Sequence, residues 1–345
     1  MRAIIVTRAA TIAIVAAIVA ACGGAPSAGG PAASGSPSAT ASAAPVKLKA
    51  SYGNVSPANL APFYAKEKGI FLKHGLDVDL SLIDGGAKSM AALLGNSVDV
   101  AQLGGTETMS AFVGGGDVVA LALFVPVSPW VLMAPSTYKT AADLKGKVVG
   151  VASKGGSSEV AAQLCLQRLG LQPSDVTILA TGSVANLTAA MLAGQVYAGP
   201  GHPPDTAALI KANYKVIVDL AAEKVLATDN VTTVTRQYLS THKDVLQRYV
   251  DSLIEAIAAM KKDKAGTIPV MQKLLNVDDQ AALAQTYDYY VTAIFPTYPT
   301  PDPNAFKSSR DELAKTNAAV KDLDVTKVID SSFVDDAKKR NVGGN

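Results

Sequence analysis

Thirty residues near the start of the chain, Ser51–Leu80, constrain the fold more than any other stretch: SYGNVSPANLAPFYAKEKGIFLKHGLDVDL. They read as strand, glycine turn, short apolar helix, tight turn and second strand, the βαβ unit of a parallel α/β sheet. Such a unit leaves the turn Tyr52–Ser56 at the carboxyl end of its first strand, where ligands collect in open α/β sheets. Pro62 sharpens the helix start. It lacks an N–H and fits only a first turn, so the N-cap falls near Asn59 or on a short turn opening at Ser56. Free amides then surround Asn54, Ser56 and Asn59 and suit an anion or a carbonyl oxygen. Plain capping explains the same residues.

The pattern repeats downstream. Leu76–Ile83 reads as a strand, Asp84-Gly85-Gly86 as its turn and Ala87–Leu94 as a helix ended by Gly95. Val98–Leu103 is a third strand, followed by Gly104-Gly105-Thr106-Glu107. Thr106 is the expected N-cap there. Glu107 either offsets the helix dipole or offers a carboxylate to a ligand. The strand Val118–Val125 runs into Pro126-Val127-Ser128-Pro129-Trp130, the expected first crossing to a second lobe, with Ser128 and Trp130 as candidate contacts. Trp130, the only tryptophan, serves either as core or as a flat wall for a ligand.

The second lobe opens with the strand Lys147–Ala152 and the turn Ser153-Lys154-Gly155-Gly156-Ser157-Ser158 before the helix Glu159–Leu169. The Gly156 amide, Ser157 as cap and the Ser158 hydroxyl are candidate ligand contacts. No Gly-Lys-Ser/Thr follows, so this is not a P-loop, nor is it a G-x-G-x-x-G fingerprint. Val176–Ala180 is the next strand, with Ser183 in its turn. Pro200–Pro204 reads as a rigid turn carrying His202, either solvent-exposed or touching ligand. After the strand Lys215–Leu220, the threonine-rich run Asp229–Thr235 returns to the first lobe. The expected lobes are 46–130 plus 236–345, and 131–235, with crossings near 127–137 and 229–237. A capping box at Thr241–Asp244 opens the helix Lys243–Lys262, and Asp302-Pro303 starts a later one.

Residues 23–45 contain only Gly, Ala, Pro, Ser, Thr, too little apolar surface to offset chain entropy, so 22–45 is a disordered tether. Ahead of it, Arg2 and Arg8 precede the apolar run Ala9–Ala21, too short to span a membrane comfortably, as in a signal peptide over 1–21. Val19-Ala20-Ala21-Cys22 resembles a bacterial lipobox, in which Cys22 is lipidated and becomes the mature N-terminus. The remaining cysteine, Cys165, falls on the apolar face of its helix and reads as core. Removal of 1–21 leaves 29 basic against 29 acidic residues without a basic stripe, which argues against nucleic acid as a partner. The three histidines share no spacing that suggests a metal site.

Ala61–Phe71 (A-P-x-Y-A-x-E-K-G-I-F), Gly75–Val78 (G-L-D-V), Leu94–Ala101, Asp143–Val151 and Leu169–Leu171 together resemble the solute-binding components of ABC importers for nitrate, sulfonates, taurine and thiamine-type pyrimidines. Tyr197 stands where that family usually has Asp. The resemblance implies a periplasmic-binding-protein fold of type II, two α/β lobes with mixed central sheets on a two-segment hinge, and a membrane permease as partner. It also implies a monomer without cofactor on the outer face of the cytoplasmic membrane. The expected solute is neutral or singly charged, because arginine forks are missing from the predicted turns. A pyrimidine- or flavin-like heterocycle and a sulfonate or carboxylate all fit. Two other readings stay open: an enzyme on the same fold acting on pyrimidine precursors or sulfinates, and an extracellular sensor lobe.

Overall fold

The computed structural model describes residues 44–152, 154 and 157–344. The signal segment, Cys22, nearly all of the tether and Gly156 lie outside the described residues. Among the described residues ten strands run in chain order: β1 Val46–Tyr52, β2 Leu76–Leu82, β3 Val100–Leu103, β4 Val118–Val127, β5 Val131–Pro135, β6 Val148–Val151, β7 Thr177–Ala180, β8 Gly199–Gly201, β9 Tyr214–Asp219 and β10 Leu226–Thr235.

The first lobe holds the sheet β2-β1-β3-β10-β4. β1 pairs in parallel with β2 (Val46 opposite Leu76) and β3 (Ala50 opposite Val100), while β10 runs antiparallel to both β3 and β4. Val118–Val125 of β4 is buried on both faces, as helices covering a sheet on two sides require. One face packs under the helices Leu60–Glu67 and Lys243–Lys262, the other against Gly105–Val113 and Pro303–Leu313.

The second lobe repeats this order. β8-β5-β9 is antiparallel and β6-β7 parallel. A parallel bridge from Val149 to Ala198 and the bond from Gly150 N–H to Ala198 O (2.9 Å) join the two. The order is therefore β7-β6-β8-β5-β9. In each lobe the fourth position is taken by a strand adjoining a crossing, β10 in the first and β5 in the second. The chain is an α/β protein with mixed central sheets, as its sequence implies.

Strand pairing corrects the expected boundary after Thr235. Residues 226–235 are not part of the second lobe, because β10 supplies the hydrogen-bonding partner that β3 and β4 do not supply to each other. The second crossing is thus 220–225 rather than 229–237, and the first is 128–130. Ser128 N–H donates to Val225 O at 2.8 Å and Leu220 N–H to Trp130 O at 3.1 Å, so the two crossings bind each other. Pro200-Gly201, expected in a turn, is strand: β8 pairs with β5, Gly201 opposite Val131. The helix Lys243–Lys262 has the expected bounds, but its N-cap is His242 without a side-chain cap bond, and Asp244 instead pairs with Arg248 at 3.1 Å. Asp302 caps the helix at Pro303 as expected, accepting from Asn304 N–H at 2.8 Å.

Gly150 shows how tightly the second lobe closes. A methyl group there would lie 2.3 Å from Leu187 Cδ1 and 2.9 Å from Val196 Cγ1. Gly150→Ala is expected to cost about 1–3 kcal/mol by overpacking, read as a lower urea midpoint. An unchanged midpoint would contradict this packing.

Candidate functional site

In the first lobe β1, β2 and β3 are parallel, so their carboxyl ends, the last residues of β4 and the first of β10 share one edge. In the second, β6 and β7 end, β5 begins and β9 ends at one edge together with β8. Both crossings leave and enter at these edges, so short connections hold the two edges against each other. The candidate site is built at this junction.

On the first edge, Ser56 caps the 3₁₀ turn Pro57–Asn59 through Ala58 N–H (3.3 Å), which frees Asn59 for another task. The Asn59 amide donates to Asn54 O (3.0 Å) and Asn54 Oδ1 (2.8 Å), and accepts from Asn230 Nδ2 at 2.9 Å. The network ties the β1 turn to β10. The Thr106 hydroxyl is not the expected N-cap. The helix Gly105–Val113 begins at Gly104 with no side-chain cap, and Thr106 Oγ1 donates to Glu107 Oε2 at 2.8 Å. The Glu107 carboxylate fills a notch that only glycines leave open. A Cβ on Gly86 would fall 2.4 Å from Glu107 Oε1, and one on Gly104 2.3 Å from Oε2. Gly86 therefore acts by making room, and Gly105 likewise lies against Thr228.

Residues Thr228, Asp229 and Asn230 escaped sequence reasoning. The β10–β4 register slips between Leu226 and Asn230 and again at Val231. Such a bulge re-aims side chains at a strand end. The legible signal was an Asp-Asn pair opening an otherwise Val/Thr strand. Tyr289 and Tyr290 also escaped. They lie on a π-helical turn, Asp288–Ile294, a distortion frequent at functional sites. Tyr289 OH donates to Pro129 O at 3.2 Å, touching the first crossing.

On the second edge, Trp130 is buried and meets the His202 ring edge-on at 4.8 Å between centroids. It is thus largely core, with its indole N–H against the Asp229 carboxylate but closing no hydrogen bond of good geometry. His202 is buried, not a solvent-exposed turn residue. It sits 6.2 Å from the Tyr290 ring, with Nδ1 4.0 Å from Asp205 Oδ2. Ser128 is buried in the crossing, its N–H committed to Val225. Ser158 is buried and its Oγ accepts from Ala152 N–H at 2.9 Å, holding its turn together. Ser157 is exposed in the first helical turn. Ser183 caps the helix Val184–Leu192 through Asn186 N–H (3.1 Å). An open groove of about 500 Å³ lies beyond it, along Leu179 and Ala193. That groove follows the outer edge strand and carries no charged side chain, so it is a poor candidate beside the junction.

Electrostatics distinguish the junction. Burial pushes the Asp229 carboxyl up to about 6, with His202 opposing the shift, Glu107 adding to it and the Trp130 N–H opposing it. Burial also raises Asp205, again opposed by His202. Among the described residues no lysine or arginine pairs with Glu107 or Asp229 within 4.0 Å. The Cys165 thiol, buried under the second-lobe sheet, is pushed up to about 12 by desolvation.

Two lobes of repeated strand order, joined by paired crossings with polar side chains gathered between them, define the periplasmic-binding-protein class. The aliphatic sulphonate binding protein SsuA of Escherichia coli superposes with a TM-score of 0.70, covering 84% of this chain and 93% of that one at 21% identity. The alkanesulfonate-binding protein SsuA of Xanthomonas axonopodis pv. citri, bound to MOPS, gives 0.66 over 84% and 100% at 21% identity. A binding protein of Brucella abortus is 26% identical over 219 residues, 62% of this chain and 67% of that protein. The family described as NMT1/THI5 like matches residues 57–267, and the chain belongs to it.

Asp229 yields a stability prediction. Between the ordinary carboxylate value and about 6 the unfolded chain releases a proton that the folded protein keeps, so stability falls as pH rises through that window. Asp229→Asn removes this penalty. It should stabilise the unliganded protein by at most about 3 kcal/mol near neutral pH, with the gain disappearing below about pH 4. Urea titrations at pH 4 and 7 check this; a gain independent of pH would contradict it.

Proposed function

We propose that the protein is the solute receptor of an ABC importer, carried on the outer face of the cytoplasmic membrane by a lipid on Cys22 and the Gly/Ala/Pro/Ser/Thr segment that follows it. A small organic molecule enters the junction, the lobes close about 128–130 and 220–225, and the closed form is presented to the permease as a monomer. The observation that carries this reading is the convergence of side chains from both strand edges on the paired crossings: Asn54, Asn59, Glu107 and Asn230 from one, Trp130 and His202 from the other. Family membership and the names of the similar proteins support it.

Closure requires contacts to both lobes at once and no bond-making. A catalytic role would need a nucleophile at the junction. Cys165 is held away from it as a neutral thiol in the second-lobe core, and His202 is enclosed by Trp130 and Tyr290. Of the remaining candidate contacts, Ser56, Ser128, Ser158 and Ser183 act mainly by shaping their turns, and Thr106 by holding Glu107. Among the described residues no helix is long and apolar enough to cross a membrane.

Because Trp130 is the only tryptophan, intrinsic emission reports the junction alone. A solute that raises the melting temperature should also shift Trp130 emission; stabilisation without any shift would place binding elsewhere. Cys22→Ala should move the protein from the membrane fraction to the soluble one, and retention in the membrane would contradict the anchor.

A further inference from the structure

The junction is acidic, with Glu107, Asp229 and Asp205 gathered around His202. Glu107 is wedged between Gly86 and Gly104 with its carboxylate half-buried, and Thr106 holds one of its oxygens at 2.8 Å. Asp229 lies within electrostatic reach of it and of His202. Asp205 is 4.0 Å from His202. The two carboxylates Glu107 and Asp229 thus share a crevice with one imidazole and, among the described residues, no paired lysine or arginine.

A second observation points to a ligand. Four buried polar atoms in the same place have no hydrogen-bond partner: Thr228 Oγ1, Asn230 Oδ1, Tyr290 OH and Trp130 Nε1. Their side chains are at most 6% exposed. Each such atom costs roughly 1–3 kcal/mol when left unsatisfied. Thr228 and Asn230 belong to the first residues of β10, Trp130 to the first crossing, and the Tyr290 ring lies 6.2 Å from that of His202. Asn230 Oδ1 can only accept, the Thr228 and Tyr290 hydroxyls can accept or donate, and Trp130 Nε1 can only donate.

We propose that this junction takes a monocationic nitrogen base of the amidinium type, a planar N–C–N unit carrying positive charge and several N–H donors, seated between Glu107 and Asp229. The inference rests on the receptor reading above and specifies its solute. A fork of N–H donors matches a carboxylate in a bidentate manner. Asn230 Oδ1 and Thr228 Oγ1 accept the outward N–H groups, and the network Asn54–Asn59–Asn230 fixes the amide that presents Oδ1. A sulfonate or carboxylate would face two like charges at close range instead.

The test is titration calorimetry of the mature body at neutral pH with a matched set: benzamidine as cation, benzamide as neutral isostere, and benzoate and benzenesulfonate as anions. Benzamidine should bind at least about tenfold tighter than benzamide, the size expected for one charge-assisted hydrogen bond. Glu107→Gln and Asp229→Asn should each weaken benzamidine by about tenfold or more and leave benzamide unchanged. The two isosteric variants sit on different elements, and circular dichroism checks that each folds. Benzamide or either anion binding as tightly as benzamidine would overturn the proposal. So would benzamidine binding untouched by both variants, or none detectable at about 10 mM. If an anion binds tightly and shifts Trp130 emission, the receptor reading survives and only the cation assignment falls. If no solute from a broad chemical library shifts Trp130 emission, the receptor reading itself falls.

Discussion

The structure depends on a topological constraint: the chain crosses between two sheets twice, at the same place, and both crossings adjoin the carboxyl ends of parallel strands. Ser128 to Val225 and Leu220 to Trp130 are the main-chain bonds that pin those crossings together. Once they form, the turns after β1, β2 and β3 must face the edge formed by β6, β7 and β8. Main-chain polarity at that junction follows from the strand order rather than from any single side chain.

The polar side chains there work against stability. A half-buried carboxyl at Asp229 is pushed up to about 6 by its surroundings, and Trp130, Asn230, Thr228 and Tyr290 each leave a buried polar atom without a partner. Elsewhere the lobes are closely packed, with β4 buried on both faces and Tyr249 stacked on Phe71 at 5.2 Å, and among the described residues the buried side-chain atoms without a partner there are Gln102 Oε1 and Tyr249 OH. Local conflict set in a consistent scaffold is the usual mark of a site kept for function. The rigid part supplies the free energy and the junction spends some of it on an arrangement that a guest completes.

Much of the scaffold was legible in the sequence because its signals are local. Alternation in Val46–Ser51, Pro62 in a first helical turn, and glycines after Val100–Leu103 each specify an element through its own chemistry. Ser56, Asn59, Glu107 and Trp130 were accessible for the same reason: they sit at strand ends next to those punctuation marks. What escaped was set by pairing across the chain. β10 reads as a connecting run until its partners β3 and β4 are known, so the lobe boundary moved and Asp229 and Asn230 went unseen. Thr106 looked like a cap, but the neighbouring Glu107 captured its hydroxyl. Tyr289 and Tyr290 follow Tyr287 in a helical run, and the π-helical turn carries one to Pro129 and the other to His202.

The central claim is that the two strand edges act as a single binding surface. Hydrogen–deuterium exchange of the mature body with and without a saturating solute tests it most directly. Protection is expected in both edges together: 52–59, 104–107 and 226–230 from one lobe, 202–205 from the other, and the crossings between them. Protection confined to one lobe, or to a surface away from the crossings, would contradict it.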